Sequence, residues 1–206
     1  MKALHTHCRK SFAFLRGPLL PYLKATVITF AVIWLLFYVV CLFRHDLLLS
    51  LLESIRQVVD QAGISDQSGN FRAWPIFVNN ARASFLSIAY GLIPFLYLPA
   101  LPIGMNAAIL GALTASYQVS GLSFAILAAG LLPHGILELP ALLIAFACGL
   151  YLCRNLGAAI RGKKPQSFSA LVTPLLRVYL TVIVPLLAAA ALIEAYVTPQ
   201  IMALFY

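Results

Sequence analysis

The sequence predicts an all-α fold, a polytopic bundle of about five transmembrane helices. Hydrophobic residues make up 62% of the 206 residues and charged residues only 10%, whereas a soluble domain carries about 45–50% and about 25%. An apolar run from Tyr22 to Phe43 is broken only by Lys24, near its start. As a helix it would be roughly 33 Å long, enough to cross a hydrocarbon core of about 30 Å. So few charges cannot cover a water-facing surface, and a soluble fold is therefore excluded.

The charges are distributed unevenly along the chain. Lysine and arginine are concentrated in the first 24 residues and again at 154–164. Four of the six acidic residues lie in the stretch from Asp46 to Asp66. Cytoplasmic flanks of membrane proteins collect lysine and arginine. The pattern predicts a multi-pass protein of the cell (inner) membrane, with a basic cytoplasmic tail at 1–21 and a single transmembrane domain at 22–206. The segment at about 44–74 and the carboxy terminus are expected outside.

The net charge of +8 does not indicate nucleic acid as a partner. A nucleic-acid surface carries a basic stripe that alternates with aromatic residues, and no such stripe occurs in the sequence. We therefore expect membrane lipid, and not nucleic acid, to surround the chain.

The first part of the predicted membrane domain contains two spans and, between them, a helix of a different kind. The spans are expected at about 22–43 and about 76–98. From 45 to 61, apolar residues recur at helical spacing with charged residues on the opposite face, which predicts an amphipathic helix. This helix either packs on its own bundle, lies in the outer interface or docks against a partner. The polar, turn-rich residues 63–72 are expected to form an exposed loop.

The remaining spans include one that the sequence predicts to be broken. Spans are expected at about 102–117 and about 169–194, and between them an apolar stretch at 122–154 would measure roughly 50 Å as one helix. Pro133 removes a backbone donor and clashes with the preceding turn, and Gly135 adds conformational freedom. We therefore predict a broken or re-entrant helix near Pro133-His134-Gly135.

Few ionisable side chains occur inside the predicted spans, and such groups usually face the bundle interior. His134 and Glu138 are four residues apart, so they share one face of a helix. Arg82 is the central cation able to pair with Glu138, and Glu194 lies near the end of a span. The predicted polar intramembrane cluster consists of Asn79, Asn80, Arg82, Asn106, His134 and Glu138.

This cluster either holds the helices together through hydrogen bonds or carries protons or ions. A hydrolytic metal centre is less favoured, because two ligand-type residues are fewer than the three that catalytic zinc usually takes from the protein. The motifs H-E-x-x-H and G-x-S-x-G do not occur, and the four cysteines form no C-x-x-C pair. We assign no catalytic residue, metal or cofactor from the sequence, and an intramembrane hydrolase is the least favoured function.

Two short motifs within the predicted spans carry a family resemblance. The string Ile76-Phe77-Val78-Asn79-Asn80 is followed downstream by Leu132-Pro133-His134-Gly135-Ile136-Leu137-Glu138, which contains Pro-His-Gly-x-x-Glu. Gly91, Asn106, Gly111 and Gly149 fit the same pattern. Together these residues resemble the stage II sporulation protein M family over about residues 76–153. The resemblance implies a five-span membrane protein with its amino terminus inside.

The resemblance also implies a function. The named family member anchors peptidoglycan-degrading partners in the membrane during engulfment, so we expect a membrane scaffold or anchor subunit of a cell-envelope complex. Its partners would be other membrane or envelope proteins, and a homo-oligomer is left open. The alternative is a transporter or channel that uses Arg82, His134 and Glu138.

Overall fold

The computed structural model describes residues 2–61, 63, 71–163 and 166–205. The fold is 87% helical and contains no strand among the described residues, which confirms the predicted all-α class. Nine α-helices occur in the described part: α1 Lys2–Arg16, α2 Leu20–Phe43, α3 His45–Gln61, α4 Ala73–Ala89, α5 Ala100–Val119, α6 Phe124–Ile160, α7 Phe168–Val178, α8 Val184–Tyr196 and α9 Thr198–Met202.

Four helical stretches of the described chain are long and apolar enough to cross a membrane. They are α2, α5, α6 and the stretch Phe168–Tyr196, in which a π-helical segment, Tyr179–Ile183, joins α7 to α8. α4 has 17 residues, which is the lower limit for a span of about 17–25 residues. The prediction of about five spans therefore corresponds to these four stretches together with α4.

The predicted second span ends earlier than expected. A 3₁₀ turn at Tyr90–Leu92 closes α4, and Ile93 leaves the helical region at φ −99° and ψ 89°. Ile93 precedes Pro94, and a residue before proline is pushed out of the α region by the proline ring. The chain then stays irregular up to α5, with positive φ angles at Phe95 and Tyr97.

The predicted break near Pro133-His134-Gly135 is wrong. α6 runs through Pro133 and Gly135 as one helix of 37 residues, Phe124–Ile160. A proline in a helix costs about 3 kcal/mol because one hydrogen bond is lost. An irregular corner at membrane depth would instead leave several backbone groups unsatisfied, each at a cost of several kcal/mol. The continuous helix is the less costly arrangement.

The chain divides into two compact units. Unit 1 contains Met1–Ile28, Asn80–Ile103 and Leu139–Leu187, and unit 2 contains Thr29–Asn79, Gly104–Glu138 and Ala188–Tyr206. The segments that the charge pattern predicts inside all belong to unit 1, and those predicted outside belong to unit 2. Which side of the membrane each segment faces stays a prediction.

Unit 1 is built around close backbone contacts and the amino-terminal helix. A Cβ atom on Gly149 would overlap the carbonyl oxygen of Ser87 and lie 2.9 Å from the Cβ of Pro99, so glycine lets these segments touch. α1 lies in the predicted basic tail. The Ser11 and Thr181 hydroxyl oxygens are 2.8 Å apart, which attaches this helix to the π-helical segment.

Unit 2 contains the predicted amphipathic helix as α3. Leu48 is buried in a cluster with Cys41, Ala112 and Ala115, against which Leu51 also packs. The apolar side of this helix therefore packs on its own bundle, as one of the three alternatives predicts. Most of the predicted loop at 63–72 lies outside the described residues.

Candidate functional site

Three ionisable side chains of unit 2 meet at one point. His134 and Glu138 lie one helical turn apart on α6, as their spacing predicts, and Glu194 comes from α8. One ligand atom from each residue lies within 4.8 Å of the other two, and none of the three residues is exposed. We call these three residues the His-Glu-Glu cluster.

Thr198 orients the imidazole of His134. Thr198, at the start of α9, is only 5% exposed, and its Oγ1 lies 3.3 Å from Nδ1 of His134. The same hydroxyl donates to the carbonyl oxygen of Ile193 at 3.3 Å. Because its single proton is used there, the hydroxyl accepts from His134, so Nδ1 carries the imidazole proton. The other ring nitrogen, Nε2, then has a free lone pair.

Close packing holds the carboxy-terminal helix α9 near this part of α6. Gly130 lies one turn before His134, and a Cβ atom there would already contact the Sδ atom of Met202 at 3.4 Å. This is an ordinary van der Waals distance, so an alanine would fit at this position. The contact shows that Met202 of α9 lies beside α6 one turn before His134.

The segments that carry the cluster contain no fixed positive charge. Neither Gly104–Glu138 nor Ala188–Tyr206 contains lysine or arginine. Arg44, elsewhere in unit 2, forms an exposed ion pair with Asp46 at 2.6 Å. Two carboxylates this close repel each other when both are ionised, and the apolar surroundings raise the cost of each charge. A proton or a cation between its oxygens would therefore stabilise the pair.

The other predicted cluster residues lie on α4 and α5. Asn79 and Arg82 are exposed and Asn80 and Asn106 are partly buried, with Arg82 and Asn80 in unit 1 and the other two in unit 2. The structure thus brings His134 and Glu138 together and joins them to Glu194. A pairing of Glu138 with Arg82 stays a prediction.

Glu194 and Thr198 were not part of the predicted cluster. Both lie about 60 residues beyond His134 in the sequence, so no local spacing links them to it. The sequence contained one signal for Glu194, because an acidic residue within an apolar span requires a polar partner. Glu194 also removes the sequence argument against a metal, because it raises the number of ligand-type residues from two to three.

Comparison with known proteins places the chain in a family. Searches among curated proteins and among solved structures found no match. The model of the family described as Stage II sporulation protein M matches residues 25–199, which is most of the chain and extends beyond the two motifs on both sides. The chain therefore belongs to the stage II sporulation protein M family.

Proposed function

We propose that this protein is a membrane anchor, a non-enzymatic subunit that holds other envelope proteins at the membrane. The proposal rests on the family match over residues 25–199, which covers all the candidate spans apart from the start of α2. An anchor needs a stable membrane bundle and a surface outside the bilayer that partners can reach.

α3 supplies such a surface. Its inner side is fixed by the buried Leu48, while Glu53, Gln57 and Asp60 are exposed at spacings that place them on one face of the helix. The charge pattern predicts that this helix is external. A helix held on one side and polar on the other can bind a partner without unfolding from the bundle.

Site-specific photocrosslinking in native membranes tests the anchor. A photoreactive amino acid at Gln57 should capture partner proteins, which mass spectrometry then identifies. The control carries the same amino acid at Leu36 of α2, which is 56% exposed within an apolar span and should contact lipid. Equal protein capture at both positions, or none at Gln57, would contradict the proposal.

A transporter or channel is the second candidate, and the His-Glu-Glu cluster is the observation that favours it. Histidine and carboxylate groups inside spans are the groups that carry protons in pumps. Reconstituted protein would then conduct protons or ions into liposomes, and Glu138→Gln would abolish the flux without lowering thermal stability. Absence of flux in the wild-type protein would leave the anchor as the better account.

A further inference from the structure

We propose that His134, Glu138 and Glu194 bind one divalent transition-metal cation, with Zn²⁺ as the best fit. This site is separate from partner binding on α3 and goes beyond the anchor function. The cation would join α6 to α8 inside unit 2. The donor set, the charges of the cluster and the orientation of His134 each support this metal site.

The donor set and its spacing fit such a cation. Zinc sites with an open position, such as catalytic ones, commonly take three protein ligands that include histidine and carboxylate side chains. In a tetrahedral site with bonds of about 2.0–2.2 Å, the ligand atoms lie roughly 3.3 Å apart. The atoms here lie within 4.8 Å of one another. The largest difference is therefore about 1.5 Å, and rotation of the two glutamate side chains that moves their oxygens by this distance closes it.

The charges favour a cation over an empty site. Two carboxylates and a neutral imidazole carry a formal charge of −2 when both acids are ionised. The segments that hold them supply no lysine or arginine. A divalent ion neutralises the pair completely. Imidazole selects transition metals over Mg²⁺ and Ca²⁺, which prefer sites made of oxygen ligands alone.

The hydrogen bonds of His134 leave the correct nitrogen available. Thr198 accepts from Nδ1 because its own proton goes to Ile193. Metal-binding histidines usually donate their second nitrogen in this way, which fixes both the tautomer and the ring orientation. Nε2 therefore has its lone pair free for the metal.

A cation at this point would stabilise the carboxy-terminal region. Glu194 lies near the end of α8, and Thr198 begins the short helix α9. Binding of a ligand to the folded state alone raises its stability by mass action. A metal-free chain should therefore unfold at a lower temperature than the zinc-bound chain.

The test uses the full-length protein in detergent, purified through a tag without histidine and stripped with EDTA. The Cys8→Ser background removes a partly exposed thiol, because a cysteine thiolate is itself a zinc ligand. After addition of Zn²⁺ and gel filtration, we expect about one zinc per chain and a Tm raised by about 5–10 °C. Mg²⁺ at the same concentration should leave the Tm unchanged.

Two isosteric variants and a control decide the assignment. Glu138→Gln and Glu194→Gln should each lower the zinc affinity at least about tenfold and remove the rise in Tm. Without metal, both should be at least as stable as the wild type, because one of two repelling carboxylates is gone. Glu53→Gln, an exposed change on α3, should keep wild-type zinc binding. Binding of less than about 0.1 zinc per wild-type chain, or unchanged binding in both cluster variants, would overturn the proposal.

Discussion

Gly111→Ala tests the contact between α2 and α5. In the wild type, a Cβ atom on Gly111 would lie 2.7 Å from the carbonyl oxygen of Trp34 and 2.9 Å from the backbone nitrogen of Tyr38. Ordinary contact begins at 3.4 Å, so the alanine needs about 0.7 Å more space. The obstructing atoms are backbone atoms of a helix, which cannot rotate away as a side chain can. The two helices must therefore move apart.

This separation would also weaken the hydrogen bonds between the two helices. Nε1 of Trp34 donates to Oγ1 of Thr114 at 3.2 Å, so an extra 0.7 Å or so would break this bond. Overpacking typically costs about 1–3 kcal/mol, and a lost hydrogen bond adds about 1 kcal/mol. The two costs together are about 2–4 kcal/mol. At about 2–4 °C per kcal/mol for a chain of this size, we expect the Tm to fall by about 4–16 °C.

The buried cysteines provide the assay, and the same helix provides the control. Cys41, Cys148 and Cys153 are buried, so a thiol-reactive fluorophore reports their exposure as the protein is heated in detergent. Gly104 also lies on α5, but a Cβ atom there would meet nothing within 4 Å. Gly104→Ala should thus be neutral or stabilising by up to about 1 kcal/mol. The packing argument is wrong if Gly111→Ala melts at the wild-type temperature, or if both variants lose the same stability.

Three further predictions follow from the topology, an exposed ion pair and a second close contact. Cysteine labelling in intact cells should place 45–72 outside and 154–168 inside, and labelling of both segments from one side would exclude five spans. The hydrogen bond from Arg44 lowers the pKa of Asp46 to about 2, so the ion pair should persist at neutral pH and be lost only as the pH falls through about 2. In an NMR titration, Arg44→Gln should return the pKa of Asp46 towards its ordinary value, and an unchanged pKa would mean that Arg44 is not the cause. Gly149→Ala should lower the Tm in the thiol assay, because its Cβ would overlap the carbonyl oxygen of Ser87, and a wild-type Tm would show that these segments separate freely.

The sequence predicted those features of the fold that depend on local composition and on the spacing of apolar residues. Apolar runs located the spans, and the helical period from 45 to 61 located α3 with Leu48 on its buried side. The break at Pro133 was predicted wrongly because the rule for proline considers a single helical turn. In a membrane the neighbouring backbone groups also need partners, and their combined cost exceeds that of one missing hydrogen bond.

The candidate site could be predicted only in part, for a similar reason. His134 and Glu138 are neighbours on one helix, so their proximity follows from the period of that helix. Glu194 and Thr198 reach them only through the packing of α8 and α9 against α6, and no spacing in the sequence encodes that packing. The requirement that a membrane acid has a polar partner indicates that Glu194 needs a neighbour, but does not say which one.

The residues that carry the family resemblance have two different physical roles in the structure. Gly111 and Gly149 lie where the backbone of another segment comes too close for a Cβ atom, so their role is packing. His134 and Glu138 lie in the His-Glu-Glu cluster. Contact does not require the glycine beside His134, since a Cβ atom on Gly135 would meet nothing within 4 Å. The two roles can therefore be separated by mutation. Alanine at Gly111 or Gly149 should lower stability whether or not zinc is present, whereas the glutamine variants should remove the response to zinc without lowering the stability of the metal-free protein.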